Sequence, residues 1–315
     1  MGGIFINREE IRLRCYDNFY LNVYVYGDYT KKFKGIVQIS HGKGEYSQNY
    51  LELIEKLVKN SYIVFIHDHR GHGRYNKGKE VFSVDTKDNN FSLMVKDLKV
   101  INSFIRWKFK DKKVFLIGHS MGAYLSLKYS EVYGDTIDGL ILSGIGIDNK
   151  LNLTLPVIIT KSICGFRDVN KPNKFVSNNL FRVLNKNFKE DRIIDNKYAF
   201  TTSDKSVLKR YSEDELRIKE YTLKFYHDLF CGIRHTLRED SIKKIPKTLE
   251  VMIIAGSLDP VCSFKRGVKK LNKSLVKNGV SSHYKIYENM RHEIFVESNK
   301  YTVFNDVLEF LRKLN

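Results

Sequence analysis

Apolar and polar residues alternate over residues 9–15, with Ile11, Leu13 and Cys15 on one face, and over 19–25, with Leu21, Val23 and Val25 on one face. Period-two alternation marks half-buried strands, and Asp17 and Asn18 between the two runs predict a hairpin. Residues 35–40 and 62–66 predict a third and a fourth strand, the latter an uninterrupted apolar run. Between them Tyr50, Leu53, Ile54, Leu57 and Val58 recur at helical spacing, and Met94, Leu98, Ile101 and Ile105 do so further on. The run 114–117 then leads through Gly118-His119-Ser120-Met121-Gly122 into a helix-like stretch with Ala123, Leu125 and Leu127, and 140–142 predict the next strand. Strands alternating with helices imply a parallel sheet with helices on both faces.

The rhythm breaks after residue 148. Residues 150–244 show no convincing buried strand, only polar, aromatic-rich, helix-like stretches such as 220–234 with Leu223, Tyr226 and Phe230. Alternation resumes with a strand over 249–256, a helix carrying Val268, Leu271 and Leu275, a strand over 284–287, and a closing helix with Val303, Val307, Leu308 and Leu311. The expected architecture is α/β: a mostly parallel eight-stranded sheet flanked by helices. Its core is residues 1–149 and 245–315, and residues 150–244 form an inserted helical cap.

Composition narrows the classes. The 315 residues are ample for one deep core, and no apolar run approaches the ~18 residues of a membrane span. The start lacks the basic-then-apolar layout of a signal peptide, and Cys15, Cys164, Cys231 and Cys262 are widely spaced without a CxxC pair. Reduced thiols in a cytoplasmic protein are expected. The net charge of +18 is spread along the chain with no basic stripe interleaved by aromatics. Nucleic acid is therefore not expected as a partner, while weak peripheral association with an anionic membrane surface is admitted. No internal repeat or signature of oligomeric state is present.

Candidate chemistry centres on Ser120. A Gly-x-Ser-x-Gly between a strand and a helix makes a turn so tight that Gly118 and Gly122 must be nearly bare, and it holds the serine hydroxyl at the positive end of the next helix. A serine nucleophile needs a base and an orienting carboxylate, expected after it in the order acid, then histidine, at strand ends. Asp259 and His292 fit both order and position. Asp148 competes for the acid; His283, preceding its strand, and His227 and His235, in the helical segment, compete for the base. The backbone N–H of Met121 and that of Lys43, in the glycine-flanked loop His41-Gly42-Lys43-Gly44, are the expected oxyanion donors. The side chain of Lys43 is expected to reach water, the alternative being a pairing with a substrate phosphate. His67, His69 and His72 are spaced like a metal run, but Gly71 stands where a further ligand is needed, so a structural loop is expected and no metal.

Taken together these motifs resemble the α/β-hydrolases of the monoacylglycerol lipase and lysophospholipase group, also classed with serine aminopeptidases. The family's His-Gly-x-Gly-Glu is matched by residues 41–45, its Asp-x-Arg-Gly-His-Gly by 68–73, its Gly-His-Ser-Met-Gly by 118–122, its acid loop by 256–259 and its base loop by 291–293. The segment 200–204 also resembles a family stretch. Lys43 departs from the small or apolar residues usual at its position, and Tyr75 from a common serine. The resemblance implies a serine hydrolase without metal or organic cofactor, acting on a small lipid ester such as a monoacylglycerol or lysophospholipid. An aminoacyl or peptide hydrolase, with Glu213, Asp214 or Glu215 gripping an α-amino group, and a non-catalytic receptor on the same scaffold are the alternatives.

Overall fold

The apolar runs become strands buried on both faces, which is why they read as continuous rather than alternating. A computed structural model describes residues 7–76, 81–82, 88–147, 150–164, 168–188 and 197–315. The strands are β1 (Arg8–Arg14), β2 (Tyr20–Tyr26), β3 (Gly35–Ser40), β4 (Tyr62–His67), β5 (Val81–Phe82), β6 (Lys113–His119), β7 (Gly139–Ser143), β8 (Glu220–Tyr221), β9 (Glu250–Gly256) and β10 (Ser282–Tyr287). Eight of them form one sheet in the order β1-β2-β4-β3-β6-β7-β9-β10. The β1–β2 and β2–β4 pairs are antiparallel and the rest parallel. The outermost β1 is blunted by Arg8, Glu9, Glu10, Arg12 and Arg14, charges that oppose edge-to-edge pairing.

Successive residues of a strand point to opposite faces, so the sheet sorts its side chains into two cores. From β6, Val114 and Leu116 enter one and Phe115 and Ile117 the other. The first core is completed by α2 (Asn90–Lys108), α3 (Met121–Tyr133) and α9 (Lys265–Lys277), through Met94, Leu98, Leu125, Leu127, Val268 and Leu271. The second is completed by α1 (Leu51–Lys59) and α10 (Lys300–Leu314), through Leu53, Leu57, Val303, Phe304, Val307 and Leu311.

Between β7 and β9 lie α4 (Lys150–Cys164), α5 (Lys174–Leu184), α6 (Lys205–Glu213), α7 (Leu223–Thr236) and α8 (Glu239–Ile242). Asn173, Asp204 and Thr222 start α5, α6 and α7 by accepting first-turn backbone N–H groups. The Thr222 cap moves the start of α7 beyond the expected residue 220. Glu220 and Tyr221 instead pair in parallel with Val81 and Phe82, a short ladder that periodicity did not foretell. His283 also differs from expectation: it lies within β10, not before it. Asp148 lies outside the described residues. Among the described residues no helix is long and apolar enough to cross a membrane, and none of the four cysteines is paired.

Candidate active site

Strand β6 ends at His119 and α3 begins at Met121, leaving Ser120 to make the whole turn at φ 52° and ψ −118°. A non-glycine residue at positive φ carries strain of about 1–3 kcal/mol, and the surroundings hold it there. Its N–H donates to the Ser143 carbonyl at 2.8 Å. A Cβ on Gly118 would stand 2.4 Å from the Gly122 carbonyl oxygen, and one on Gly122 would stand 2.1 Å from that of Ser40. Bare backbone on both sides therefore lets the turn seat against the end of β3.

Asp259 follows β9, and its carboxylate is fully buried. Oδ1 accepts the Val261 N–H at 2.8 Å, and Oδ2 accepts the Cys262 thiol at 3.0 Å. The same Oδ2 lies 2.8 Å from His292 Nδ1, and His292 Nε2 lies 2.8 Å from Ser120 Oγ. A carboxylate oxygen only accepts, so Nδ1 carries the proton and Nε2 presents its lone pair to the serine hydroxyl. Burial alone would push the His292 imidazole down; the Asp259 charge and hydrogen bond, helped by Glu293 and Glu45, raise it above its usual range. The ring is stacked on Phe200 at 5.7 Å, and its backbone N–H donates to the Phe200 carbonyl. The rival histidines are elsewhere: His227 meets Thr160 and Cys231, and His235 meets Lys128 and Ser241.

Residues Ser40 and Gly118 pair across β3 and β6, so the loop carrying Lys43 and the turn carrying Met121 leave the sheet at the same edge. Neither backbone N–H donates a hydrogen bond among the described residues. The Lys43 side chain does not run freely to water as expected. It is half-buried, with Nζ 4.4 Å from the Tyr221 ring centroid, 5.1 Å from Phe181 and 5.9 Å from Tyr226. Burial, then the charges of Arg217 and Lys197, push its ammonium down to about 7.

Several residues to which sequence reasoning assigned no role surround this centre. Glu45 accepts the Gly42 N–H and the Tyr50 hydroxyl, both at 2.6 Å, and burial pushes its carboxyl up to about 7. Glu293 takes the Arg217 guanidinium at 2.8 Å and the Tyr211 hydroxyl. Cys262, three residues from the acid, had only that adjacency as a signal, whereas Glu45 and Glu293 stood within the matched motifs without an assigned role. The charge of Arg217 was visible, its partner was not. Of the carboxylates considered for gripping an amine, Glu213 and Glu215 are exposed and Asp214 accepts the Tyr46 hydroxyl at 2.7 Å. Tyr75, the other departure from the family pattern, ties its hydroxyl to the backbone of Asn22 and Tyr20 on β2.

The histidine run packs as structure. His41 Nδ1 meets its neighbour's carbonyl at 2.8 Å, and its Nε2 accepts the His69 N–H at 2.8 Å. His69 in turn meets Ser40 Oγ and His67. Among the described residues no group of three or more such side chains is arranged to hold a metal ion.

Known proteins resemble this chain in sequence and in fold. A monoglyceride lipase homolog of Monkeypox virus is 39% identical over 109 residues, 34% of this chain and 37% of that one. The first relatives thus align over about a third of their own length. The monoglyceride lipase of Saccharomyces cerevisiae is 28% identical over 90% of this chain and 86% of its own. The crystal structure of a thermostable carboxyl esterase from Bacillus coagulans superposes with a TM-score of 0.87 at 21% identity, covering 98% of each chain. The family model described as serine aminopeptidase, S33, matches residues 31–299. With its eight-stranded sheet and strand–serine–helix turn, the chain belongs to this family of α/β-hydrolases.

Proposed function

We propose that the chain is a serine hydrolase that cleaves lipid-like carboxylic esters, a monoacylglycerol or a lysophospholipid, through an acyl-enzyme. The observation that carries this reading is the unbroken relay from Ser120 Oγ to His292 to Asp259, with 2.8 Å at each step. His292 Nε2 takes the hydroxyl proton as Ser120 Oγ bonds to the acyl carbon. Asp259 holds the tautomer and supports the imidazolium charge. The oxyanion is met by the N–H groups of Met121, at the first turn of α3, and Lys43. His292 then gives its proton to the departing alcohol, and the same nitrogen activates the water that releases the acid. None of these steps needs a metal or organic cofactor.

Residues 150–244 serve in this reading as the cap, supplying an apolar wall from Phe181, Tyr221 and Tyr226. A long acyl chain gains affinity only when removed from water. The names of the viral and yeast relatives support a monoacylglycerol ester. An α-amino group would need a carboxylate turned to it, and the engagement of Asp214 by Tyr46 favours the ester reading over the aminoacyl one. The four unpaired cysteines support a cytoplasmic setting.

A fluorophosphonate probe tests the reading, joined to a hydrolysis panel over monoacylglycerols, lysophospholipids and aminoacyl arylamides. The folded chain should be labelled and should cleave the esters, and Ser120→Ala should do neither. Labelling that survives Ser120→Ala, or preference for the arylamides, would refute it.

A further inference from the structure

We propose that Lys43 reads a phosphate on the alcohol side of the substrate, making the preferred ester anionic; this rests on the ester-hydrolase reading above. The backbone of Lys43 supplies an oxyanion donor in that reading, so its side chain starts beside the scissile carbonyl. Five single bonds carry Nζ about 6 Å from the Cα. In a glycerol ester bearing a phosphate, about six bonds separate the acyl carbon from phosphorus, a comparable span.

Among the described residues none places an anion at Nζ. Lys43 makes no hydrogen bond or ion pair among the described residues. It faces the rings of Tyr221, Phe181 and Tyr226 instead. The charges that act on it, Arg217 and Lys197, have its own sign, and Arg217 is committed to Glu293. An ammonium taken from water without a counter-charge is unfavourable, and aromatic faces offset this only in part. Leucine or methionine would fill the same aromatic niche without that penalty. An incoming phosphate supplies the missing charge, and the amine's lowered proton affinity means that the anion also draws a proton onto it.

The test uses two ligands of equal acyl length, 1-acylglycerol and 1-acylglycerol 3-phosphate, below their micellar concentrations. Binding is measured by calorimetry in Ser120→Ala, which does not depend on turnover. Kinetics are measured in the chain with Ser120 intact. Each background carries Lys43, Lys43→Met, Lys43→Gln or Lys43→Arg, and thermal melts identify which variants fold. A charge-assisted contact predicts about ten- to a hundredfold tighter binding of the phosphate ligand. That preference should vanish in Lys43→Met and Lys43→Gln and return in Lys43→Arg. The kcat/KM ratio of phosphate ester to neutral ester should fall by the same factor. Equal affinity for both ligands, or a ratio unmoved by the neutral variants, overturns the proposal while cleavage of the neutral ester leaves the hydrolase reading intact. Discriminating binding without any turnover has the opposite meaning: the subsite stands and the hydrolase reading falls.

Discussion

Replacing Asp259 by asparagine should abolish activity through one hydrogen atom, and the carboxylate's partners dictate which one. Val261 donates its backbone N–H to Oδ1 at 2.8 Å, so an asparagine keeps its carbonyl oxygen there. The amide nitrogen then takes the place of Oδ2, 2.8 Å from His292 Nδ1. It is a donor, so Nδ1 must accept and the ring proton moves to Nε2. That nitrogen faces Ser120 Oγ and is no longer free to take its proton. The same change in a serine protease lowers kcat by about 10⁴, equivalent to roughly 5.5 kcal/mol in the barrier. The pH profile supplies a second readout. Burial lowers the proton affinity of His292, and the Asp259 charge and hydrogen bond, together with the charges of Glu293 and Glu45, more than reverse it. Activity in the unaltered chain should therefore rise with pH through an inflection above 6.5, the ordinary imidazole value. With the charge removed, burial dominates and the inflection of any residual activity should move below 6.5. The assay is kcat/KM for a soluble chromogenic ester from pH 5 to 9, with a thermal melt to show that the variant folds. A folded Asp259→Asn within tenfold of the parent, or an unmoved inflection, would refute this account of the relay. Asp148→Asn should keep most of its activity in the same assay.

Two further substitutions probe the frame of the site. Gly144 has φ 64°, and a Cβ there would stand 2.8 Å from His292 Cε1, so Gly144→Ala should displace the imidazole. A misplacement of that order lowers kcat by about a hundredfold while the chain remains folded, and wild-type kcat in the variant would contradict it. Arg217→Met strips Glu293 of its buried partner at 2.8 Å, a loss of about 3–5 kcal/mol. In a chain of this size that should lower Tm by roughly 5–10 °C, and a shift below one degree would show that Glu293 finds another partner.

The parts legible in the sequence are those set by neighbours along the chain. Burial of β3, β4, β6, β7 and β9 on both faces demands continuous apolar runs, and the tight turn at Ser120 demands bare residues at 118 and 122; both leave a local trace. Because parallel strands all end at one edge of the sheet, the loops holding Ser120, Asp259 and His292 could be named as neighbours although serine and histidine are 172 residues apart. What surrounds that relay left no such trace. The aromatic niche of Lys43 joins the β3 loop to α5, β8 and α7, and the partner of Arg217 lies 76 residues away. Phe200, in a stretch that resembled the family without an assigned role, reaches His292 from between α5 and α6, and β8 finds β5 across 139 residues. Periodicity reports which face of an element meets the core, but not which distant side chain it meets there. A lysine in sequence is a charge that water normally keeps; only the folded packing takes this one among rings, with no counter-ion among the described residues.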